Sequence, residues 1–220
     1  MHHSCAAVSL GRALDGATYH AKQDTSAGGV ARNIAEGIYK IYGNVNLISA
    51  VGNDQNGTYI RKLLPEHCAS SIITLGNCPT ASFSVLLDRK GDCRLVVGDM
   101  EAHQAITTDW VSTFQGHPVM FFEPTDMRIA ARPFAARNAK LAALAKRAVK
   151  FISPNIHELA EIAQALHYAG PVPRKLMDEY ATLDELLTDV KPLGLFVNET
   201  IDHVLVTLGH HGVAVFRRTA

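Results

Sequence analysis

The chain has 220 residues, of which 47% are hydrophobic and 19% charged, and its formal net charge at pH 7 is zero. This length and composition predict a globular protein with a core of ordinary size and one domain. The balanced charge disfavours a nucleic-acid or membrane partner, and the lack of a long apolar run disfavours a membrane span or signal peptide, so a cytoplasmic location is expected.

The cysteine pattern bears on the redox state of the protein. The four cysteines are scattered and show no C-x-x-C spacing; they are Cys5, Cys68, Cys78 and Cys93. They therefore predict reduced thiols rather than a zinc site or a disulfide framework.

Residues 1–27 show little hydrophobic periodicity. Residues 6–10 predict at most a short strand, and Asp15-Gly16 is typical of a turn. We therefore expect no substantial strand before residue 28.

A glycine pair, Gly28 and Gly29, comes directly before an amphipathic segment. Glycines allow a tight turn or a close approach to a ligand. Apolar residues then recur at a spacing that predicts a helix with one face against a sheet: Val30, Ala31, Ile34, Ala35, Ile38, Ile41 and Tyr42. Asn33 falls one turn into this helix, beside the glycines, where it could donate to and accept from a polyhydroxylated ligand. The same residues also fit a glycine-rich loop packed under a helix, with Asn33 in solvent.

The helix is followed by an apolar stretch, residues 45–51, that predicts a strand, and by the polar run Gly52-Asn53-Asp54. Together these segments resemble the first signature of the ribokinase-type (phosphofructokinase-B type) carbohydrate kinases. Gly-Gly-Val-Ala-Arg-Asn-Ile-Ala followed by Leu-Ile-Ser-Ala-Val-Gly-Asn-Asp is closest to the pseudouridine kinase branch. The resemblance implies an α/β fold, a three-layer open sheet with helices on both faces and a small β lid. It also implies that Gly28, Gly29 and Asn33 bind the substrate.

The next region predicts a β-hairpin. Residues 80–87 and 93–97 flank the turn sequence at 88–91. Composition alone favours a hairpin that faces solvent. The family resemblance instead implies a lid, over about residues 72–98, that closes over the sugar and makes a homodimer contact.

One family segment has no counterpart in the middle of the chain. Residues 108–114 predict a short helix, and Gln115 then leads almost directly into the apolar residues 118–122. Family members carry a further βα unit between these pieces. Without this unit, each buried backbone N–H or C=O group that its strand would have paired costs about 1–3 kcal/mol. The remaining strands of the sheet must therefore pair with one another, or the chain is poorly stable.

A second family element lies in the carboxyl-terminal half. The strand prediction at 121–122 leads into a polar loop, Glu123-Pro124-Thr125-Asp126, of the kind found at the ligand end of an open sheet. Further on, Asn155 and Glu158 have the spacing of a capping box, which explains them without any ligand. The resemblance adds that this pair helps to hold the phosphates of ATP and, through water, Mg²⁺, a cation that prefers oxygen ligands.

The end of the chain predicts a helix over residues 183–190 and then two strands, His203–Thr207 and Val213–Arg217, joined by a turn. The turn contains His210 and His211, adjacent residues that we expect to splay apart and bind no metal. A plain hairpin turn explains this segment. The resemblance to Thr-x-Gly-x-x-Gly-Val implies that Thr207 and Gly209 line the nucleotide pocket; those two residues match the pattern.

No catalytic residue is assigned. Family members supply the base for phosphoryl transfer from a Gly-Ala-Gly-Asp segment after the last hairpin, and no Asp or Glu follows Asp202 here. The resemblance covers residues 24–217 and lacks the first strand, the middle βα unit and the carboxyl-terminal catalytic third. The sequence therefore predicts one partial ribokinase-like domain over residues 1–220.

Two functions follow from these motifs. The first is a nucleoside or sugar kinase-like protein that resembles pseudouridine kinase, uses ATP and Mg²⁺, and is incomplete in this chain. The second is a non-catalytic remnant that binds a nucleoside or dimerises through the lid. Dinucleotide-dependent oxidoreduction is disfavoured because Gly28-Gly29 is not a G-x-G-x-x-G motif after a strand.

Overall fold

The computed structural model describes residues 2–7, 21–88, 90–91, 93–107, 119–135 and 138–218, with backbone only for residues 2–7. The chain forms two compact units, Met1–Ile106 and Thr107–Ala220. The prediction of a single partial domain stays a prediction. The predicted turn at Asp15-Gly16 and the predicted helix at 108–114 lie outside the described residues.

The amino-terminal unit contains a four-stranded sheet and a two-stranded sheet. Its strands are β1 (His2–Ala7), β2 (Lys22–Ala27), β3 (Ser49–Gly52), β4 (Ile72–Leu75), β5 (Ser82–Leu87) and β6 (Cys93–Asp99). The larger sheet has the order β2-β1-β5-β6, with β1 parallel to β5 and the other neighbours antiparallel. In the smaller sheet β3 pairs with β4 in parallel.

The expectation of no substantial strand before residue 28 is wrong, because β1 and β2 each have six residues. Their backbones pair along their whole length, from His2 opposite Ala27 to Ala7 opposite Lys22. Most of β2 is exposed on both faces. A strand that buries neither face needs no apolar alternation, so the sequence carries no periodic signal for it.

The predicted hairpin is confirmed as a hairpin, since β5 and β6 pair antiparallel around residues 88–91. Within the predicted lid range of 72–98, β4 belongs to the other sheet. The hairpin therefore occupies the later part of that range, and its role as a lid stays a prediction.

The helices of this unit are α1 (Val30–Tyr42), α2 (Gln55–Lys62), α3 (Glu66–Ala69) and α4 (Glu101–Gln104). The helix predicted after the glycine pair is confirmed as α1. It ends at Gly43, which adopts the left-handed conformation, with φ of 72°, that favours glycine at a helix end. The buried core of the unit is Ala35, Leu47, Val51, Ile60, Leu64, Cys68, Ala69 and Ile72.

The carboxyl-terminal unit is built on a four-stranded sheet with helices packed on it. Its strands are β7 (Met120–Phe122), β8 (Val149–Ile152), β9 (His203–Thr207) and β10 (Val213–Arg217). They lie side by side in the order β10-β9-β8-β7. Strands β7, β8 and β9 are parallel, and β10 is antiparallel to β9. Its helices are α5 (Met127–Ala130), α6 (Ala139–Ala148), α7 (Ile156–Ala165) and α8 (Leu183–Asn198).

Helix α8 is longer than the predicted residues 183–190 because it continues through Pro192. A proline inside a helix removes one backbone hydrogen bond. Leu186, Val190, Leu193 and Val197 are nevertheless all fully buried, at helical spacing on both sides of the proline. Burial of this stripe keeps the helix continuous. None of the described helices is long and apolar enough to cross a membrane.

Candidate functional site

The predicted substrate residues lie at the amino-terminal end of α1. Gly29 precedes the helix with φ of 104° and ψ of 114°, a conformation that L-residues rarely adopt. Its carbonyl accepts a hydrogen bond of 2.9 Å from the backbone N–H of Asn33. No side chain caps this end of the helix. The first-turn amides therefore have neither a capping side chain nor a partner within the helix.

Asn33 itself is exposed, and its side-chain oxygen accepts a hydrogen bond from Arg32. Gly28 is buried, and its carbonyl accepts from Arg32 Nε at 3.2 Å. Gly28 and Gly29 thus lie directly before α1 and Asn33 lies one turn into it, as the sequence predicts. Their role in binding a substrate stays a prediction.

A second polar network follows β3. Asp54 caps α2 by accepting from the Gly57 amide at 2.7 Å, and it also accepts from the amide and hydroxyl of buried Thr80 at 2.7 and 2.6 Å. Burial raises the pKa of Asp54, but the hydrogen bonds from Thr80 and Gly57 outweigh it and lower the pKa below its usual range. Asp54 therefore holds the loop after β3 in place.

A cleft of about 500 Å³ runs beside this network. It is lined by Asn53, Asp54, Gln55, Thr58, Tyr59 and Lys62. None of the predicted substrate residues, Gly28, Gly29 and Asn33, lines this cleft.

In the carboxyl-terminal unit, Asn155 and Glu158 form the capping box that their spacing predicts. Asn155 Oδ1 accepts from the amides of His157 and Glu158, both at 2.9 Å, and Glu158 Oε2 accepts from the Asn155 amide at 2.8 Å. The predicted capping box of Asn155 and Glu158 is therefore confirmed. Its role with phosphate and Mg²⁺ stays a prediction.

Glu158 lies in a low-polarity environment, and so does Glu123. Glu158 is 5% exposed, and burial raises its pKa, with Asp126 adding to the effect. Burial likewise raises the pKa of Glu123, and the negative charge of Glu158 raises it further. Glu123 also accepts a hydrogen bond from the Ser153 hydroxyl. The sequence places Glu123 in a loop at the ligand end of the sheet but assigns it no role. Its position directly after an apolar strand is the signal that could have found it.

Thr207 lies next to the capping box. Its amide donates to the Pro154 carbonyl at 2.9 Å, and its backbone forms an isolated parallel bridge with Asn155. Thr207 is exposed, and Gly209 follows with φ of 56° at the start of a 3₁₀ turn. Asn155, Glu158 and Thr207 thus meet where β8 and β9 end, the edge at which open α/β sheets bind ligands.

The two histidines of the turn do not splay apart as predicted. The rings of His210 and His211 lie 3.9 Å apart between centroids. Both belong to the 3₁₀ turn, whose tight backbone lets neighbouring rings approach each other. Among the described residues there is no group of three or more His, Cys, Asp or Glu side chains that could hold a metal ion.

Solved structures with a similar fold include ribokinases and nucleoside kinases. A ribokinase from Cryptococcus neoformans var. grubii in complex with ADP matches with a TM-score of 0.57 and 16% identity, over 100% of this chain and 74% of that one. An Arabidopsis thaliana ribokinase with ribose and ATP matches with a TM-score of 0.55 and 18% identity, over 99% and 72%. A Burkholderia thailandensis nucleoside kinase with inosine matches with a TM-score of 0.55 and 11% identity, over 100% and 71%. These matches confirm the predicted ribokinase-like α/β fold.

A comparison with curated proteins finds no match. The family model described as "pfkB family carbohydrate kinase" matches residues 5–116, which is half of the chain. The chain therefore belongs to the pfkB family of carbohydrate kinases.

Proposed function

We propose that this chain is a nucleoside kinase-like protein whose complete form phosphorylates pseudouridine with ATP. The observation that carries the proposal is the start of α1, where a glycine pair, uncapped amides and exposed Asn33 stand together inside a pfkB sequence match. Ribose and inosine in the complexes of similar folds support a ribose-containing substrate.

The second part of the proposal concerns ATP. Thr207, Gly209 and Asn155 cluster at the carboxyl ends of β8 and β9, and the family's use of ATP supports a nucleotide site at this edge. The ADP and ATP complexes of similar folds add support.

Mg²⁺ fits the chemistry of this edge. Glu123 and Glu158 supply carboxylate oxygens, which a hard cation prefers. Because no three-ligand cluster is found among the described residues, the phosphates and water would hold the ion, with Glu158 accepting from its water ligands. When bound, Mg²⁺ would neutralise phosphate charge.

The substrate half of the proposal is tested by Asn33→Ala. We expect the 220-residue chain to bind pseudouridine in calorimetry and the variant to bind about 10–100-fold more weakly, because one or two polar contacts are lost. Asn46→Ala, an exposed asparagine outside α1, serves as the control and leaves affinity unchanged. The proposal fails if the unmodified chain binds neither pseudouridine, uridine nor ribose. Equal affinities for the chain and Asn33→Ala would remove the role of Asn33.

A non-catalytic, dimerising protein is the second function that an observation supports. The four-stranded sheet ends at β6, where Val96 and Val97 are 52% and 58% exposed. An exposed edge strand with apolar side chains favours pairing with another chain. In that case the protein binds nucleoside or self-associates, and forms no pseudouridine 5′-phosphate with MgATP.

The lid homodimer is tested by charging this edge. We expect sedimentation to show a dimer for the unmodified chain and a monomer for the double variant Val96→Lys, Val97→Lys, since a charged edge opposes strand pairing. Leu195→Lys, at a residue 52% exposed on helix α8 rather than on an edge strand, is the control and stays dimeric. A monomeric unmodified chain, or a dimer unaffected by the lysines, would rule out this contact.

A further inference from the structure

Arg32 ties together the parts of the α1 amino terminus. Its Nε donates to the Gly28 carbonyl at 3.2 Å, one terminal nitrogen donates to Glu36 at 2.7 Å, and the other donates to Asn33 Oδ1. The side chain is only 12% exposed. One guanidinium therefore joins the glycine turn, the helix and the asparagine side chain.

The orientation of the Asn33 amide follows from this contact. A guanidinium has only donors, so the Asn33 atom that faces it must be the oxygen. The Nδ2 group is then left to face away from Arg32 with two N–H donors. The first-turn amides of α1 are also donors and have no side-chain cap.

We propose that Arg32 is a positioning residue that fixes Asn33 with its Nδ2 group toward the ligand, so that the site recognises a sugar hydroxyl as an acceptor. This inference rests on the proposed function for the identity of the ligand. The Arg32 contact occupies one lone pair of Asn33 Oδ1 and turns the two Nδ2 donors away from the guanidinium.

Glu36 holds Arg32 in this arrangement. It accepts from Arg32 on one oxygen and from Lys40 on the other, at 2.7 and 2.6 Å. Hydrogen bonds from Lys40 and Arg32 lower the pKa of Glu36, so it stays charged at neutral pH. Lys40 is 69% exposed and contacts neither Gly28 nor Asn33, so it offers a control on the same helix.

The first experiment measures how firmly the Asn33 side chain is held, without any ligand. We compare the NMR order parameter of its Nδ2 group in the unmodified chain, Arg32→Met and Lys40→Ala. Methionine keeps an apolar side-chain stem and is a good helix former, but it lacks the hydrogen-bond donors of the guanidinium. We expect the order parameter to fall in Arg32→Met only. Equal values in all three proteins would overturn the positioning role.

The second experiment measures what the fixed amide recognises. Affinities are determined for uridine and for its 2′- and 3′-deoxy and deoxyfluoro analogues, since fluorine can accept a hydrogen bond but cannot donate one. At the position that Asn33 contacts, we expect the unmodified chain to bind the fluoro analogue more tightly than the deoxy analogue. Arg32→Met should weaken uridine binding about tenfold and bring the fluoro-to-deoxy ratio close to one. Lys40→Ala should change neither value.

The outcomes separate this inference from the proposed function. A chain that binds no nucleoside overturns the recognition step together with the proposed function, while the order parameter still decides whether Arg32 holds Asn33. A chain that binds uridine but disfavours both fluoro analogues overturns the inference alone, because Asn33 would then present its oxygen. An unchanged ratio in Arg32→Met also overturns it.

Discussion

Gly57→Ala is expected to destabilise the amino-terminal unit by about 3 kcal/mol, although alanine is the better helix former. A Cβ atom on Gly57 would lie 2.2 Å from the carbonyl oxygen of Gly52 and 2.9 Å from the Thr80 hydroxyl. The nearest atom belongs to the backbone, so the loop after β3 must move. That movement pulls apart the hydrogen bonds that Asp54 makes with Gly57 and Thr80.

Urea unfolding, with hydrogen exchange of the amides in the loop after β3, measures this effect. Gly37→Ala is the matched control, because a Cβ at Gly37 in α1 meets nothing within 4 Å. The control should stabilise the chain by about 0.5–1 kcal/mol, the usual gain for replacing a glycine inside a helix. If Gly57→Ala were as stabilising as Gly37→Ala, the close approach of α2 to the loop would be wrong.

Elements with a strong local pattern are the ones that the sequence predicts well. The apolar stretch in His203–Thr207, followed by a turn, predicts β9 with its observed bounds, and Val204 and Val206 are fully buried. The helical spacing after Gly29 likewise predicts α1. One face of β9 is buried, and burial of one face produces a period in the sequence. In α1 only Ala35 of the predicted apolar face is buried, whereas Val30, Ile41 and Tyr42 are exposed.

Elements whose limits depend on tertiary packing are predicted less well. The apolar run at 45–51 predicts a longer strand than β3, which spans Ser49–Gly52. The prediction is too long because an apolar residue can be buried without hydrogen bonding to a neighbouring strand. Pro192 suggests a helix end, yet the buried stripe carries α8 through it. The exposed strand β2 has no apolar period at all.

The same distinction applies to the candidate site. The capping box of Asn155 and Glu158 is a local pattern, so three residues of spacing suffice to predict it. The contact between Glu123 and Ser153 joins residues 30 positions apart, and only the pairing of β7 with β8 brings them together. The contact of Arg32 with Asn33 depends on side-chain direction, which spacing alone does not specify.

Glu158→Gln is expected to raise the stability of the carboxyl-terminal unit and to lower its affinity for MgATP. Glutamine also serves at the third position of a capping box, so the hydrogen bond to the Asn155 amide can be kept. The substitution removes a charge whose pKa is raised by burial. Mg²⁺ affinity should fall about 10–100-fold, the usual effect of changing a group that orients metal-bound water.

The gain in stability has a defined pH dependence. A carboxyl group with a raised folded pKa favours folding fully below its unfolded pKa of about 4.3, and this contribution is lost as the pH rises through the folded value. The advantage of Glu158→Gln should therefore be present at neutral pH and vanish in acid. Urea unfolding at both pH values, together with MgATP calorimetry, measures the two effects.

Glu161→Gln makes the same change of charge one turn further along α7, at a residue outside the capping box, and should alter neither quantity. Equal stability of Glu158→Gln and the unmodified chain at neutral pH would mean that burial of the carboxylate costs nothing. Unchanged MgATP affinity would mean that Glu158 only caps the helix. Replacing a carboxylate whose role is purely structural lowers the stability of the protein. Higher stability together with weaker MgATP binding would therefore indicate that Glu158 serves ligand binding rather than folding.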